Sequence, residues 1–568
     1  QAEDGIRDAQ ESRGLGDVYK RQRLDRLEED VQLTVKVAAV VGRTVPYSIL
    51  QAIHPQRPDG RTLDAHLSAL QRVDLLRLER LAAEPTFFFK HVITQQVAYE
   101  SLLFAQRQAL HEALGRHLEE IHARNLDEAV DLLAHHFSLS RNREKAHAYL
   151  VRAGDRATRT YTHREALEYY RRAQAWLEEG NRLQQWDLLQ RLERAYYAVG
   201  WRDEQRRTLE EMAELALHLG DEWRQATVLA RRGTLLSQTG HPEEGIRLLR
   251  QAVALAEQAG DLSMAGQCAI DISRACWLLC QEDASQEALD QARLFFQRGG
   301  DRQGEAAVFN MLGNICLAIL SQYERALHCF REEGRLAQEA GDEYGEATSR
   351  VNQAIALIIL GQAQEALALT APAQTFFERA GNPRLLGAAF FAAGHALLRL
   401  ERFEEALAVA RRCLGLMEEC EERNFLVESE GLVGRILLAL DRPMEARDHF
   451  CRACELAQAG GQEVDWAHYR SYEALLLLRL GRPEEALALS EEVIAVLERQ
   501  PQRVDNLQAM LWHHFLILRQ VRGLHAAQPF LERARRVVEE VASEIHDPDL
   551  RRSFLERDPI NREICASG

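Results

Sequence analysis

The chain has 568 residues, with 87 acidic against 70 basic side chains and a formal net charge of −17. This length is too great for one hydrophobic core, so it predicts either several domains or a repeat array that stacks in one direction. The negative charge argues against a nonspecific nucleic-acid binder, which would need a basic surface. Ten cysteines at spacings unlike a disulfide framework predict reduced thiols and a cytoplasmic location, and the apolar runs are too short to span a membrane.

The first 22 residues differ from everything that follows. They show no helical periodicity and do not begin with Met. The run from Asp4 to Gln22 resembles a translated sequencing-adapter remnant, so residues 1–22 are predicted to be a non-native or disordered leader. On this interpretation the natural protein extends further upstream, and the chain is its C-terminal part.

Residues 23–105 have the pattern of a small winged-helix domain. Apolar residues recur at helical spacing in three segments, and Thr62 is the predicted cap of the third. Residues 75–80 and 86–90, joined by a turn at 83–85, predict a β-hairpin. Three helices followed by a hairpin are typical of a winged helix. The next segment, residues 106–145, is predicted to be a helical linker or cap.

A forty-residue period dominates the chain from residue 146 onward. The clearest sign is a series of alanines spaced 40 apart: Ala326, Ala366, Ala406, Ala446 and Ala486. A second small residue stands twelve positions before each of the last four: Ala354, Gly394, Gly434 and Ala474. This period predicts stacked helical hairpins, and the small residues are expected where the paired helices cross most closely. About ten units are predicted over residues 146–545, and residues 546–568 form a C-terminal tail.

Glycine, aspartate and proline mark the ends of these predicted helices. A Gly-Asp or Gly-Asn pair follows five of the units, and it starts at Gly220, Gly260, Gly300, Gly341 and Gly381. Glycine can take the left-handed conformation that ends a helix, and the following Asp or Asn can cap the next one. Prolines at 242, 443 and 483 are expected at first helical positions, where proline costs no hydrogen bond.

The offset between Gly394 and Ala406 is similar to that of the tetratricopeptide repeat, in a longer form of about 40 residues. Residues 89–103, which read FKHVITQQVAYESLL, resemble a segment of large bacterial signalling ATPases of the STAND/AAA type. Residues 132–137 and 549–555 also resemble parts of that family. Its members carry an ATPase, a winged helix and tetratricopeptide repeats, often behind an adenylate cyclase or protein kinase domain. The resemblance implies a non-catalytic sensor and scaffold region that regulates an upstream ATPase domain.

The phosphate-binding loop of such ATPases, G-x-x-x-x-G-K-[ST], is missing from this sequence. The chain is therefore predicted to be no enzyme and to bind no cofactor, and the ATPase would lie in the upstream part. The alternative is the repeat region of a LuxR/MalT-like transcriptional regulator whose DNA-binding domain is absent from this chain. The third predicted helix of the winged helix offers one firm base, Arg72, so nucleic-acid binding is not expected.

Two sets of candidate functional residues follow from the resemblance. His91 would contact the nucleotide of the upstream domain and report its state; alternatively, it only orients the wing through a hydrogen bond. The inner helix of each repeat presents its second, fifth, ninth and twelfth positions to a concave groove. This register predicts a groove for a protein partner or small effector, with an apolar floor and a few polar groups. The candidate groove residues are Phe391, His395, Glu428, Arg435, His468 and Ser471.

Two simpler interpretations stand beside these candidates. The groove residues form an ordinary solvated face, on which Arg435 and Glu428 pair along one helix. No metal site is predicted, because neighbours on a helix, as in the pairs at 135–136 and 513–514, point in different directions. The cysteines at 451 and 454 lack the second pair that a zinc site usually needs, which favours structural thiols.

Overall fold

The structure is a computed structural model, and it describes residues 24–79, 84–160, 162–178, 180–279, 281–318, 320–420, 422–499 and 506–567. The predicted leader, residues 1–22, lies outside these ranges. The chain forms two compact units, residues 1–219 (unit 1) and residues 220–568 (unit 2). Each unit is described by itself.

Unit 1 begins with three helices and a three-stranded antiparallel sheet. The helices are α1 (Glu29–Val41), α2 (Tyr47–Ile53) and α3 (Gly60–Arg72). The strands are β1 (Thr44–Pro46), β2 (Leu76–Glu79) and β3 (Thr86–Phe89), and β3 lies between the other two. The predicted three helices and hairpin are therefore present, while the assignment to the winged-helix class stays a prediction. Residues 80–83, which include the end of the first predicted strand and the start of the predicted turn, lie outside the described residues.

The predicted cap of the third helix was wrong by three residues. α3 begins at Gly60, because the side chain of Asp59 accepts a hydrogen bond of 2.8 Å from the backbone N–H of Thr62. An ionised carboxylate caps a helix better than a threonine hydroxyl, since it also interacts favourably with the helix dipole. The apolar face of α3 is buried as its spacing predicts, at Leu63, Leu67 and Leu70.

The segment that follows the sheet is held by a buried chain of hydrogen bonds. It contains α4 (Val92–Glu100), α5 (Phe104–Ile121), a short 3₁₀ helix (Leu126–Ala129) and α6 (Val130–Ser138). The Tyr99 hydroxyl lies 2.9 Å from Nε2 of His111, and Nδ1 of His111 lies 3.0 Å from Nδ1 of His136. Burial lowers the pKa of His111 to about 4 and that of His136 to about 3. Both imidazoles are therefore neutral at neutral pH and serve as packed hydrogen-bonding groups.

Ten helical hairpins follow in the described part of the chain, in agreement with the predicted number. Unit 1 contains α7–α8 (Arg143–Arg159, His163–Gln174) and α9–α10 (Arg182–Val199, Arg202–Leu219). Unit 2 contains α11–α12 (Glu222–Gln238, Pro242–Gln258), α13–α14 (Leu262–Leu278, Glu282–Gly299), α15–α16 (Arg302–Ala318, Tyr323–Ala340), α17–α18 (Glu343–Ile359, Ala363–Ala380), α19–α20 (Pro383–Arg399, Phe403–Glu419), α21–α22 (Arg423–Ala439, Pro443–Ala459), α23–α24 (Glu463–Arg479, Pro483–Arg499) and α25–α26 (Leu507–Arg522, Leu524–Ser543). Over the described ranges, none of these helices combines the length and apolarity that crossing a bilayer requires.

The predicted helix ends are confirmed. The five glycines of the Gly-Asp and Gly-Asn pairs have φ values between 64° and 77°, the left-handed conformation expected after a helix. Each following side chain accepts a hydrogen bond from a backbone N–H in the first turn of the next helix; Asp342, for example, accepts from Gly345 at 2.9 Å. α12, α22 and α24 begin at the three predicted prolines.

The small residues of the forty-residue pattern lie at tight helix crossings. Ala354, Ala366 and Ala406 are fully buried. At Gly434 a Cβ atom would come within 2.7 Å of the ring of Phe450, which belongs to the partner helix of the same hairpin. Close packing at these positions leaves no room for a larger side chain, which explains why small residues recur there.

Residues 546–568, the predicted C-terminal tail, contain two helices that pack back onto unit 2. α27 (Pro548–Glu556) and α28 (Pro559–Ala566) are named the C-terminal lid here. The ring of Phe554 lies 6.4 Å from that of Tyr323, and Arg557 donates a hydrogen bond to Gln362. Gly361 approaches the lid so closely that a Cβ atom would lie 2.6 Å from the carbonyl oxygen of Ser553. The lid therefore touches hairpins that lie some two hundred residues earlier in the chain.

Candidate functional site

Unit 2 contains a cavity of about 400 Å³ between the repeats and the C-terminal lid. The inner helices α17, α19, α21 and α23 of four successive hairpins form one side of it. α25 and α26 of the last hairpin and both helices of the lid form the other side. The end of the chain folds across the groove between these repeats and partly covers it.

Five of the six predicted groove residues line this cavity: Phe391, His395, Glu428, Arg435 and His468. They come from three successive inner helices, and the structure brings them together around one space. Phe391 and His395 stack edge to face, with ring centroids 4.5 Å apart. The guanidinium of Arg435 lies 5.6 Å from the ring centroid of Tyr472, an arrangement typical of a cation–π contact.

Ser471 does not line the cavity. It is buried, it donates a hydrogen bond of 2.7 Å to the carbonyl oxygen of His468, and it lies 3.0 Å from Nδ1 of His513 on α25. The fifth position of this repeat therefore packs against the next hairpin, because α25 comes close to α23. Ser471 belongs to the packing between two hairpins, and the groove prediction was wrong for this residue.

Arg435 dominates the electrostatics of the cavity. Burial, and after it the charge of Arg435, lowers the pKa of His468 and of His513 to about 3. The same two causes, in the same order, hold the pKa of His395 well below its ordinary value. All three imidazoles are therefore neutral at neutral pH. Within the described ranges Arg435 forms no ion pair with a carboxylate, so the interpretation that it pairs with Glu428 is not supported.

A second arginine in the cavity is neutralised by the lid. Nη2 of Arg399 lies 2.6 Å from Oδ2 of Asp558, and the two side chains are 19% and 11% exposed. Burial lowers the pKa of Arg399, and the charge of Asp558 opposes that shift. Asp558 also caps α28 by accepting a hydrogen bond of 3.0 Å from the N–H of Asn561. The pair thus joins the end of α19 to the start of α28.

Sequence reasoning missed both members of this pair. Arg399 directly follows the twelfth position of its repeat, so the register places it just beyond the groove. A charged residue at the end of an inner helix, one position beyond the predicted groove register, is a signal that could have found it. Asp558 lies outside the repeats, and no periodic pattern connects it with α19.

His91 belongs to unit 1, and the cavity belongs to unit 2. It is exposed, and it occupies the N-cap position of α4 without capping that helix through its side chain. Its predicted contact concerns a nucleotide on an upstream domain, so that role stays a prediction. In the ranges that the structure describes, no three His, Cys, Asp or Glu side chains are arranged to hold a metal ion. The nine described cysteines are free thiols.

The profile of the tetratricopeptide repeat family matches residues 388–419, which run from α19 through α20. This stretch contains Phe391 and His395 of the cavity. No curated protein matches the chain in sequence.

Several solved structures resemble the chain at low identity. A Rap protein complexed with competence and sporulation factor is 12% identical over 61% of this chain and 98% of its own, with a TM-score of 0.42. A signal transduction ATPase with numerous domains and a tetratricopeptide repeat sensor, from Pyrococcus horikoshii, is 13% identical over 76% of this chain and 63% of its own, with a TM-score of 0.40. The apo quorum sensor NprR from B. thuringiensis is 15% identical over 56% of this chain and 92% of its own, with a TM-score of 0.39.

The repeat profile matches a hairpin whose geometry recurs in the others. The small residues, the left-handed glycines and the helix pairs repeat with the same period on either side of that match. The chain has an all-α fold built of tetratricopeptide-type helical repeats.

Proposed function

We propose that unit 2 is the sensor of a signal-transduction protein and binds an effector in the cavity beneath the C-terminal lid. The observation that carries this proposal is that Phe391, His395, Arg435 and His468 line one cavity together with residues of the lid. Its volume of about 400 Å³ falls in the range of small-molecule sites, which favours a small effector over a protein partner as the occupant.

The lid connects ligand binding with several hairpins of unit 2. Repeats in an array contact only their neighbours, so a ligand on one inner helix has a local effect. The lid contacts α16, the loop after α17, and α19 as well as the last hairpin, so a ligand that shifts the lid acts on all of them together. Such a ligand must bind the two lid positions with different affinity.

The regulatory target in this proposal is an upstream nucleotide-binding domain, as the sequence resemblance implies. The segment around His91 would lie next to that domain and would pass on the change. The chain itself would contribute no catalytic step, because the sequence lacks a phosphate-binding loop.

The proposal is tested by filling the cavity. Ile359 lines it and is half-buried, so Ile359→Trp should occupy the space with limited strain. A small-molecule library is screened by the shift in melting temperature of the wild type, of Ile359→Trp, and of the control Leu294→Trp on the exposed face of α14. Compounds that stabilise the wild type should stabilise Leu294→Trp equally and should leave Ile359→Trp unchanged.

The regulatory arm uses a protein in which the proposed nucleotide-binding domain precedes this chain. An effector found in the screen should change the rate of nucleotide hydrolysis, and Ile359→Trp should remove that response. Compounds that stabilise Ile359→Trp as strongly as the wild type would place binding outside the cavity and contradict the proposal.

A further inference from the structure

We propose that the ligand of this cavity is a small organic anion with an apolar body, whose acid group pairs with Arg435. This inference rests on the proposed function and names the chemistry of the effector. Three properties of the site support it: the charge balance around Arg435, the hydrogen-bonding capacity of the neighbouring imidazoles, and the apolar wall that the lid supplies.

The charge balance leaves one cation in the cavity without a counter-ion. Of the two arginines that line it, Arg399 is paired with Asp558, whereas Arg435 has no carboxylate partner among the described residues. Arg435 is half-buried and rests on the ring of Tyr472. A partly desolvated guanidinium without a partner is costly, and its planar donors suit a carboxylate, sulfonate or phosphate group.

None of the other lining carboxylates forms an ion pair with Arg435 within the described ranges. Asp465 accepts a hydrogen bond of 3.0 Å from Gln462, and burial raises its pKa. Glu428 and Glu540 are exposed to solvent, and water screens their charge. The half-buried guanidinium of Arg435 is therefore the group of the cavity that suits an anionic ligand.

The imidazoles beside Arg435 can complete an acid-binding site. His395 and His468 are neutral and line the cavity, and neither ring is hydrogen-bonded to another residue within the described ranges. A neutral imidazole carries one N–H, which can donate to an acid oxygen without adding charge. An anion placed at Arg435 would find these two donors on the adjacent inner helices.

Apolar side chains of α17, α26 and the C-terminal lid form another part of the cavity wall. Ile355 and Ile358 lie on α17, Val541 lies on α26, and Phe554 and Ile560 lie on the lid. Burial of an apolar body against these side chains would add affinity in proportion to its area. A volume of about 400 Å³ suits a compact molecule.

Two dyes of nearly the same shape test whether the cavity prefers an anionic ligand. The anion 1-anilinonaphthalene-8-sulfonate and the uncharged N-phenyl-1-naphthylamine share one aromatic body, and the fluorescence of both rises on binding. Titration of the wild-type chain should show that the sulfonate binds at least about ten-fold more tightly, since a charge-assisted contact adds that much affinity. Arg435→Gln should remove this preference and leave the affinity for the uncharged dye within about two-fold.

Control variants separate charge from folding. Arg435→Lys keeps the positive charge and should retain the preference for the sulfonate. Arg442→Gln removes a half-buried arginine of the same hairpin that does not line the cavity and is paired with Glu445, and it should behave as the wild type. Ile359→Trp should weaken the binding of both dyes.

Each outcome decides between the two proposals. Equal affinity for both dyes, with no effect of Arg435→Gln but a loss in Ile359→Trp, would overturn the anionic ligand and leave the effector cavity standing. Failure of both dyes to bind, or binding that Ile359→Trp does not alter, would contradict the effector cavity as well.

Discussion

Arg399 and Asp558 connect an inner helix of the repeats with the C-terminal lid. Their ion pair closes the cavity at the point where α19 ends and α28 begins. Attraction between two buried charges and their loss of hydration nearly cancel, so the pair adds little net stability. Removal of one partner is different, because it leaves the other charge buried and without a counter-ion.

We therefore expect Asp558→Ala to lower the free energy of unfolding by about 3 kcal/mol. Arg399 would remain desolvated, and α28 would lose its cap. Urea denaturation of the wild type and the variant measures the change, and hydrogen exchange of residues 548–566 reports whether the lid opens. The double variant Arg399→Met/Asp558→Leu should lose less stability than Asp558→Ala alone. A larger loss in the double variant would show that the pair itself stabilises the fold.

At the same scale, the sequence predicted those site residues that share a register. His395 and Arg435 occupy the same position in successive repeats, and both line the cavity. Ser471 does not line the cavity although its register predicts it. The register places a residue on one face of its helix, but it carries no information on how close the next hairpin comes. Asp558 could not be predicted, since its contact joins a repeat to a segment outside the repeats.

The helix is the scale at which the sequence was most informative. Side chains cap helices through bonds within three residues, so Asp342 and its equivalents could be recognised from local sequence alone. The forty-residue spacing of alanines also predicted which helices pair, because the same contact recurs at a fixed separation in every repeat. The depth of packing could not be predicted, because it depends on which aromatic ring faces each small residue, as Phe450 faces Gly434.

The helix crossing in the α19–α20 hairpin can be tested by overpacking. Ala406 is fully buried, and we expect Ala406→Arg to lower the free energy of unfolding by about 1–3 kcal/mol or more, because the longer side chain forces the helices apart. The control Glu404→Arg lies on the exposed face of the same helix and should have little effect. Thermal and urea unfolding of both variants measure the difference. An unchanged melting curve for Ala406→Arg would contradict the close crossing.

Over the whole molecule, buried neutral histidines link stability to pH. Burial depresses the pKa in the folded state to about 3 or 4 for five of them: His111, His136, His468, His513 and His514. In an unfolded chain a histidine titrates near 6.5, so below that pH the unfolded state binds protons that the folded state does not. Their contribution is thus complete above about pH 6.5 and is lost as the pH falls towards the folded pKa values.

We expect the free energy of unfolding of unit 2 to fall steadily between about pH 6.5 and 4.5. Each such histidine should contribute up to about 1 kcal/mol per pH unit, and the urea midpoint should fall accordingly. The variants His468→Gln and His513→Gln cannot be protonated in this range and should flatten that dependence. Equilibrium unfolding at several pH values measures the slopes. A slope in either variant as steep as that of the wild type would contradict the assignment.

The C-terminal lid also restricts how this array can evolve. In an open array, a repeat can be duplicated or deleted and the remaining hairpins still stack on their neighbours. Here Ser553 must meet Gly361, and Asp558 must meet Arg399, across the hairpins that lie between them. Adding or removing one hairpin in that interval would rotate and shift the end of the chain away from both partners. The number of repeats between α18 and the lid is therefore fixed by geometry, and sequence change is confined to substitutions within a constant length.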